Sequence, residues 1–253
     1  MLRLRQICLV APELQKSVAL LESVLGLKTC FHDPAVERFG LNNALLPIGT
    51  NFLEVVAPFR DGTTAERYIN RRNGSGGYMV IMQCDDVEER KARMETLGIR
   101  LVTDIDNGPH QAIQMHPKDT GGAIMETGSD SRGYEPDSPW TPAGDDWKNF
   151  ISTELVTSLV AAELQSEDPK AMGPRWSEVL DIPLTLAEQV PTLTLENATL
   201  RFTTIKDDRG EGLRALDIKV KNRNELVRRA EIVGCDVDEN TVHINGIYFN
   251  LLQ

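Results

Sequence analysis

One carboxylate in this chain sits where a carboxylate is costly to place. The stretch Asp119-Thr-Gly-Gly-Ala-Ile-Met-Glu126-Thr-Gly sets Glu126 inside a short apolar run, between Gly121-Gly122 and a second break expected at Thr127-Gly128. A run this short, bounded by turn residues, reads as a strand buried on at least one face. Its alternation sends Ile124 and Glu126 to one side and Ala123 and Met125 to the other. On an edge strand Glu126 would meet water. On an interior strand its charge must be compensated, and a carboxyl group that resists ionisation can serve as a general acid or base near neutral pH.

Other residues with chemical potential are more scattered. His32 and Arg38 flank an expected second strand, His110 lies in a Gly-Pro loop, and His116-Pro117 reads as a turn. A short basic helix over 65–72 carries Arg67, Arg71 and Arg72 beside Tyr68, either as a solvated face or as an anion site. No Ser-His-Asp arrangement, P-loop or dinucleotide fingerprint is present.

The 253 residues suffice for one large domain or two of ordinary size, and 41 % apolar with 26 % charged residues is the balance of a water-soluble globular chain. Net charge is −11, from 38 acidic and 27 basic residues, without a basic block. That argues against nucleic acid as a partner. No apolar run approaches the ~18 residues a membrane span needs, and the N-terminal apolar run is too short for a signal peptide. Cys8, Cys30, Cys84 and Cys235 form no Cys-x-x-Cys pair and lie in or beside apolar runs, the pattern of free thiols in a reducing cytoplasm.

The elements that must position Glu126 recur. A strand at Leu4–Val10, a helix over Leu14–Leu25 stopped by Gly26, and three short strands near Lys28–Phe31, Phe39–Leu46 and Thr50–Val56 make one unit. Asn73–Gly77 reads as a flexible joint. A second unit follows: strand Tyr78–Cys84, helix Val87–Leu97, and strands at Ile99–Val102, Ala112–Met115 and Gly122–Met125. Val10-Ala-Pro-Glu13 aligns with Gln83-Cys-Asp-Asp86 at an offset of 73, and Leu25-Gly-Leu27 with Leu97-Gly-Ile99 at 72. A linker rich in Ser, Gly, Pro and Asp runs from Gly128 to Asn149, with Trp140 and Trp147 expected to pin it to a surface. The unit then returns twice. Val179-Leu-Asp-Ile182 repeats Val24-Leu-Gly-Leu27 at an offset of 155, and Val233-Gly-Cys235 repeats Leu97-Gly-Ile99 at 136.

Four strand–helix–three-strand units in tandem resemble the vicinal oxygen chelate superfamily, which includes glyoxalase I, extradiol dioxygenases, methylmalonyl-CoA epimerase and the bleomycin and fosfomycin resistance proteins. The resemblance rests on Gln6-Ile-Cys-Leu-Val, Asn51-Phe-Leu-Glu54-Val-Val-Ala-Pro, Gly76-Gly-Tyr-Met79-Val-Ile-Met-Gln-Cys-Asp-Asp86 and His116-Pro-Lys-Asp-Thr-Gly-Gly-Ala-Ile-Met-Glu126. It implies an α+β fold of tandem βαβββ modules, paired into two half-barrel glyoxalase-like domains at 1–130 and 150–253 with a linker at 131–149. It also implies an enzyme of the lyase or isomerase type that moves a proton next to a carbonyl or carboxylate, or else a non-catalytic binding protein of the resistance type. The partner implied is a small molecule, neither nucleic acid nor membrane, and the chain is expected as a monomer or homodimer.

The superfamily's metal-ligand positions fall on Gln6, Glu54, Met79 and Glu126, spaced 48, 25 and 47 residues apart. By this resemblance Gln6, Glu54 and Glu126 are candidate ligands of a divalent metal ion, and Glu54 and Glu126 candidate catalytic groups. The family usually has His where Met79 stands, and a thioether is a poor partner for an oxygen-loving ion. An extradiol dioxygenase is disfavoured, because its two-His-one-carboxylate set is missing. In the second half the same positions map to Ala161, Phe202, Ala215 and Asn250, a scaffold or metal-free cup.

Overall fold

The computed structural model describes all residues, 1–253. The first half runs β1 (Leu2–Val10), α1 (Leu14–Leu25), β2 (Leu41–Ile48), β3 (Asn51–Pro58), α2 (Thr64–Arg71), β4 (Gly76–Cys84), α3 (Val87–Thr96), β5 (Leu101–Asn107), β6 (His110–Met115), the single turn α4 (Pro117–Thr120) and β7 (Ile124–Asp130). The second runs β8 (Val156–Ser166), α5 (Pro169–Leu180), β9 (Leu184–Ala187), β10 (Val190–Thr194), β11 (Thr199–Thr204), β12 (Gly212–Val220), α6 (Arg223–Ile232), β13 (Asp236–Asp238), β14 (Thr241–Ile244) and β15 (Ile247–Leu252). No helix is long and apolar enough to cross a membrane.

The strands form two mixed sheets, in the orders β2-β3-β1-β4-β7-β6-β5 and β13-β14-β15-β12-β8-β11-β10-β9. Each is two modules joined at an antiparallel centre, β1 with β4 and β8 with β12, flanked by parallel pairs such as β1 with β3 and β4 with β7. The repeat read from the helix stops holds. Gly26, Gly98, Asp181 and Gly234 all take left-handed backbone, at φ 70, 65, 58 and 76°, the conformation that ends a helix.

Several expected details differ. The strand expected at Lys28–Phe31 is reduced to one bridge, Phe31 to Leu45. Asp33 caps a 3-10 turn over Pro34–Phe39, and Pro34 has no N–H to continue a ladder. Thr127-Gly128 does not stop β7, which continues to Asp130; a side chain at 128 would press on Ala112 of β6, so glycine here lets two strands close. β7 lies between β4 and β6, so Glu126 is on an interior strand rather than an edge.

Asn73–Gly77 is not a loose joint. Gly76 and Gly77 begin β4, and a Cβ on Gly77 would stand 2.6 Å from Cβ of Leu213, on β12 of the other half. The two sheets pack through such contacts into one apolar core of 51 buried residues drawn from both halves, including Leu53, Val80 and Met125 with Leu200, Phe202 and Leu213. A smaller cluster fills the concave face of the first sheet: Cys8, Phe52, Val56, Met79 and Ile81, with Trp140, Ala143 and Trp147 from the segment after β7.

That segment is a strap pinned to the cup by Trp140, Ala143 and Trp147, which are buried. Trp140 and Trp147 are 0 % and 1 % exposed. Arg5, itself buried, donates from Nη1 to the Thr50 and Pro136 carbonyls and from Nη2 to Ser138 O at 3.0 Å, and lies against the rings of Phe52, Trp140 and Trp147. Burial lowers its pKa to about 10, so it stays charged at neutral pH.

Candidate active site

The strap leaves a cavity of about 210 Å³ in the first cup. Gln6 (β1), Glu54 (β3), Met79 (β4) and Glu126 (β7) all line it. Their convergence follows from register: Cys8 pairs with both Glu54 and Met79, and Ile81 with both Gln6 and Glu126, so the four side chains leave the same face of neighbouring strands. Apolar residues make up much of the wall, among them Leu41, Val56, Ile81, Ile105 and Ile124. Asp33 and Arg38 also border the cavity, whereas His32 is exposed and hydrogen-bonded to Asn43 O, and His116 caps α4.

Each carboxylate is held by amides. Glu54 Oε2 accepts from Gln6 Nε2 at 2.9 Å, and its Oε1 from Asn43 Nδ2 at 2.7 Å. Glu126 Oε2 accepts from Gln114 Nε2 at 2.7 Å, while its Oε1 takes no hydrogen bond. Neither carboxylate forms an ion pair, and they are 6 % and 5 % exposed. Burial prevails over the amide hydrogen bonds and, at Glu126, over the charge of Arg38 on the cavity border. It raises the pKa of Glu54, and that of Glu126 to about 7, where the charge of Glu54 adds a further upward push.

Asn43 and Gln114 are site residues that were not singled out in the sequence. Gln114 stands directly across the ladder from Glu126, and its alternation with His110 along β6 is the signal that could have marked it. His110 is not in a loop. It opens β6, lines the cavity, sits edge-on to Trp140 with centroids 4.9 Å apart, and leaves Nδ1 buried without a partner. Burial lowers its pKa to about 4, so the ring is neutral at ordinary pH.

The donor set does not fit a resident divalent ion. Gln6 Oε1, the oxygen that would ligate, accepts from Trp140 Nε1 at 3.0 Å, and its Nε2 is spent on Glu54. Met79 offers only a thioether. No three His, Cys, Asp or Glu side chains are grouped so that they could hold a metal ion.

The second cup corrects one mapped position. Glu163 takes the place of Cys8 and pairs with Arg201, so Arg201 stands where Glu54 does. Phe202 points the other way, onto Trp176 in the core. Arg201 grips Asp217 through two bonds of 2.6 and 2.8 Å, and Asn250 donates to Asp217 at 2.7 Å. Lys206 and Arg214 reach Glu163 at 3.0 and 3.2 Å. Salt links therefore occupy the concave face that carries the carboxylate site in the first half.

Comparison with known proteins agrees with this architecture. Residues 7–180 match the family model described as a glyoxalase-like domain. Human mitochondrial methylmalonyl-CoA epimerase is 23 % identical over 127 residues, covering 49 % of this chain and 72 % of the epimerase. Among solved structures, a hypothetical protein from Staphylococcus aureus superposes with a TM-score of 0.70 at 14 % identity, covering 99 % of this chain and 98 % of that one. The Mn(II)-bound glyoxalase from Novosphingobium aromaticivorans gives 0.66 at 12 %, over 99 % and 82 %. At these identities the structural likeness establishes the fold alone. The chain belongs to the glyoxalase-like domain family of the vicinal oxygen chelate superfamily.

Proposed function

We propose that the first cup is the active site of a small-molecule enzyme that moves a proton next to a carbonyl or carboxylate, in the manner of a lyase or isomerase and without a metal ion. The observation that carries this reading is Glu126: a buried carboxyl group on a cavity wall, one oxygen steadied by Gln114, the other free, with a pKa raised to about 7. Such a group can take a proton from carbon and return one at neutral pH. Glu54, fixed by Gln6 and Asn43, is the second acid–base group on the same cavity. Arg38 at the border supplies a positive charge for an acidic substrate. Neutral His110 can donate or accept a hydrogen bond. The likeness to an epimerase fits proton transfer as the reaction class.

A second reading has its own support. The apolar wall and the thioether of Met79 suit a protein that binds a small molecule without transforming it. Hydrogen–deuterium exchange separates the two. Wild-type protein incubated in D2O with a panel of short-chain acids and acyl thioesters is expected to introduce deuterium beside the carbonyl of at least one. Glu126→Gln is expected to slow that exchange by about 10²–10⁴-fold, the range of a lost general base, with binding retained. Members of the panel that bind tightly while none of the panel exchanges in wild type would sink the enzymatic reading and leave the binding one.

A further inference from the structure

A second cleft, of about 400 Å³, opens at the seam between the two halves and is lined by no hydrophobic residue. Arg71 and Arg72 at the end of α2 border it from one side, and Arg209, His243 and the β14–β15 turn from the other. The three guanidinium groups have no carboxylate partner, although the chain carries a net charge of −11. Arg72 Nη1 donates to the carbonyls of Gly210 and Glu211, and Arg209 donates to those of Gly246 and Ser75. Carbonyls satisfy donors but neutralise no charge. The single acid lining the cleft is Asp208, which is exposed; behind it Asp207 acts on Arg209, and Asp236 lies 4.0 Å from His243 Nδ1.

Two buried donors or acceptors are left over on the same cleft. Arg72 is only 4 % exposed, yet its Nε has no partner, and neither has Nε2 of His243. Arg71 makes no hydrogen bond, its guanidinium resting on the Tyr68 ring at 5.2 Å with Arg72 at 5.6 Å from the same ring. Like charges brought together repel, and an anion placed among them reverses the sign of that interaction. The planar N–H fork of arginine matches the oxygens of phosphate.

We propose that this cleft binds a phosphate group, held by the charges of Arg71, Arg72 and Arg209 beside His243. The site bridges the halves, so its ligand would tie α2, whose first residues Thr64 and Ala65 line the carboxylate cavity, to the β14–β15 turn.

Calorimetric titration with inorganic phosphate and with AMP, each against sodium chloride of equal ionic strength, tests the proposal. Saturable binding of either is expected in wild type, inorganic phosphate alone indicating the free ion and AMP alone a phosphomonoester. Arg71→Glu should weaken it by about tenfold or more through opposed charge. Should that variant melt lower than wild type in phosphate-free buffer, Arg71→Ser, which removes no hydrogen bond, replaces it with the same expected direction. Glu126→Gln should bind phosphate as wild type does, so this outcome does not depend on the proposed reaction. No saturable binding beyond chloride, or affinity within about twofold of wild type in the Arg71 variant that folds, overturns the proposal.

Discussion

The pKa of Glu126 has a consequence for stability whose sign can be worked out. Below the ordinary carboxylate value of 4.5 the folded and unfolded chains both hold the proton, and burial adds no penalty. Between 4.5 and about 7 the unfolded chain ionises first, so stability falls as pH rises. Above about 7 the loss is complete, on the order of 3 kcal/mol. Glu126→Gln removes this dependence. We expect its melting temperature to exceed that of wild type at pH 8, with the lead shrinking toward zero near pH 4.5; a constant difference across that range would show that Glu126 is not the group being held neutral. If Glu126 is the base, exchange in D2O should rise with pH through about 7. The placement of Glu126 was legible in the sequence because strand alternation is strict: Ile124 shares its face, and Met125 faces the core. The amides holding the carboxylates were not. Asn43 and Gln114 become site residues only through side-chain hydrogen bonds to neighbouring strands, 11 and 12 residues away.

At the scale of elements, the strap decides what the cup can hold. Repeat spacing located the strands of the cup because each module closes on itself, with helix stops in left-handed backbone. It could not show the strap's path, since a stretch of Ser, Gly, Pro and Asp has no periodicity to read. Its anchoring is by single residues, Trp140 to Gln6 and the carbonyls to Arg5. Met79→His would place an imidazole beside Glu54 and Glu126, and Trp140→Phe would free Gln6 Oε1 while keeping a ring in place. We expect the double variant to bind Mn(II) or Zn(II) in calorimetry at least about tenfold more tightly than Met79→His alone. Equal affinities would show that the Trp140–Gln6 bond is not what withholds the amide. Trp140→Ala, by contrast, should destabilise the protein by about 3–5 kcal/mol, as large buried truncations do.

At the scale of the molecule, the repeats and the folding unit do not coincide. We propose 1–130 and 150–253 as repeat boundaries that mark two cups but not two independently stable bodies, because one apolar core runs through both. A single calorimetric transition is therefore expected, with Gly77→Ala lowering it by several degrees through the clash with Leu213 (about 1–3 kcal/mol). Two separate transitions, or an unaffected midpoint in the variant, would contradict this. In sequence the seam reads as a flexible joint, because Gly-Ser-Gly-Gly is the composition of both a linker and a close backbone approach. Only the opposing strand distinguishes them.

The strap also carries a consequence in time. Its residues follow every strand of the first sheet in the chain, so during synthesis the carboxylates are made before the wall that encloses them. A nascent chain that has released residues 1–130 has both glutamates and all their amide partners, but neither Trp140 nor Trp147. Until they emerge, the concave face of the first sheet lacks the indoles that pack on it, and Gln6 Oε1 lacks its donor. The enclosed pocket in which burial raises the pKa of Glu126 therefore needs the chain through Trp147. Indole fluorescence should report that step in ribosome-bound chains of graded length, since the first two tryptophans of the sequence are the two that close the site.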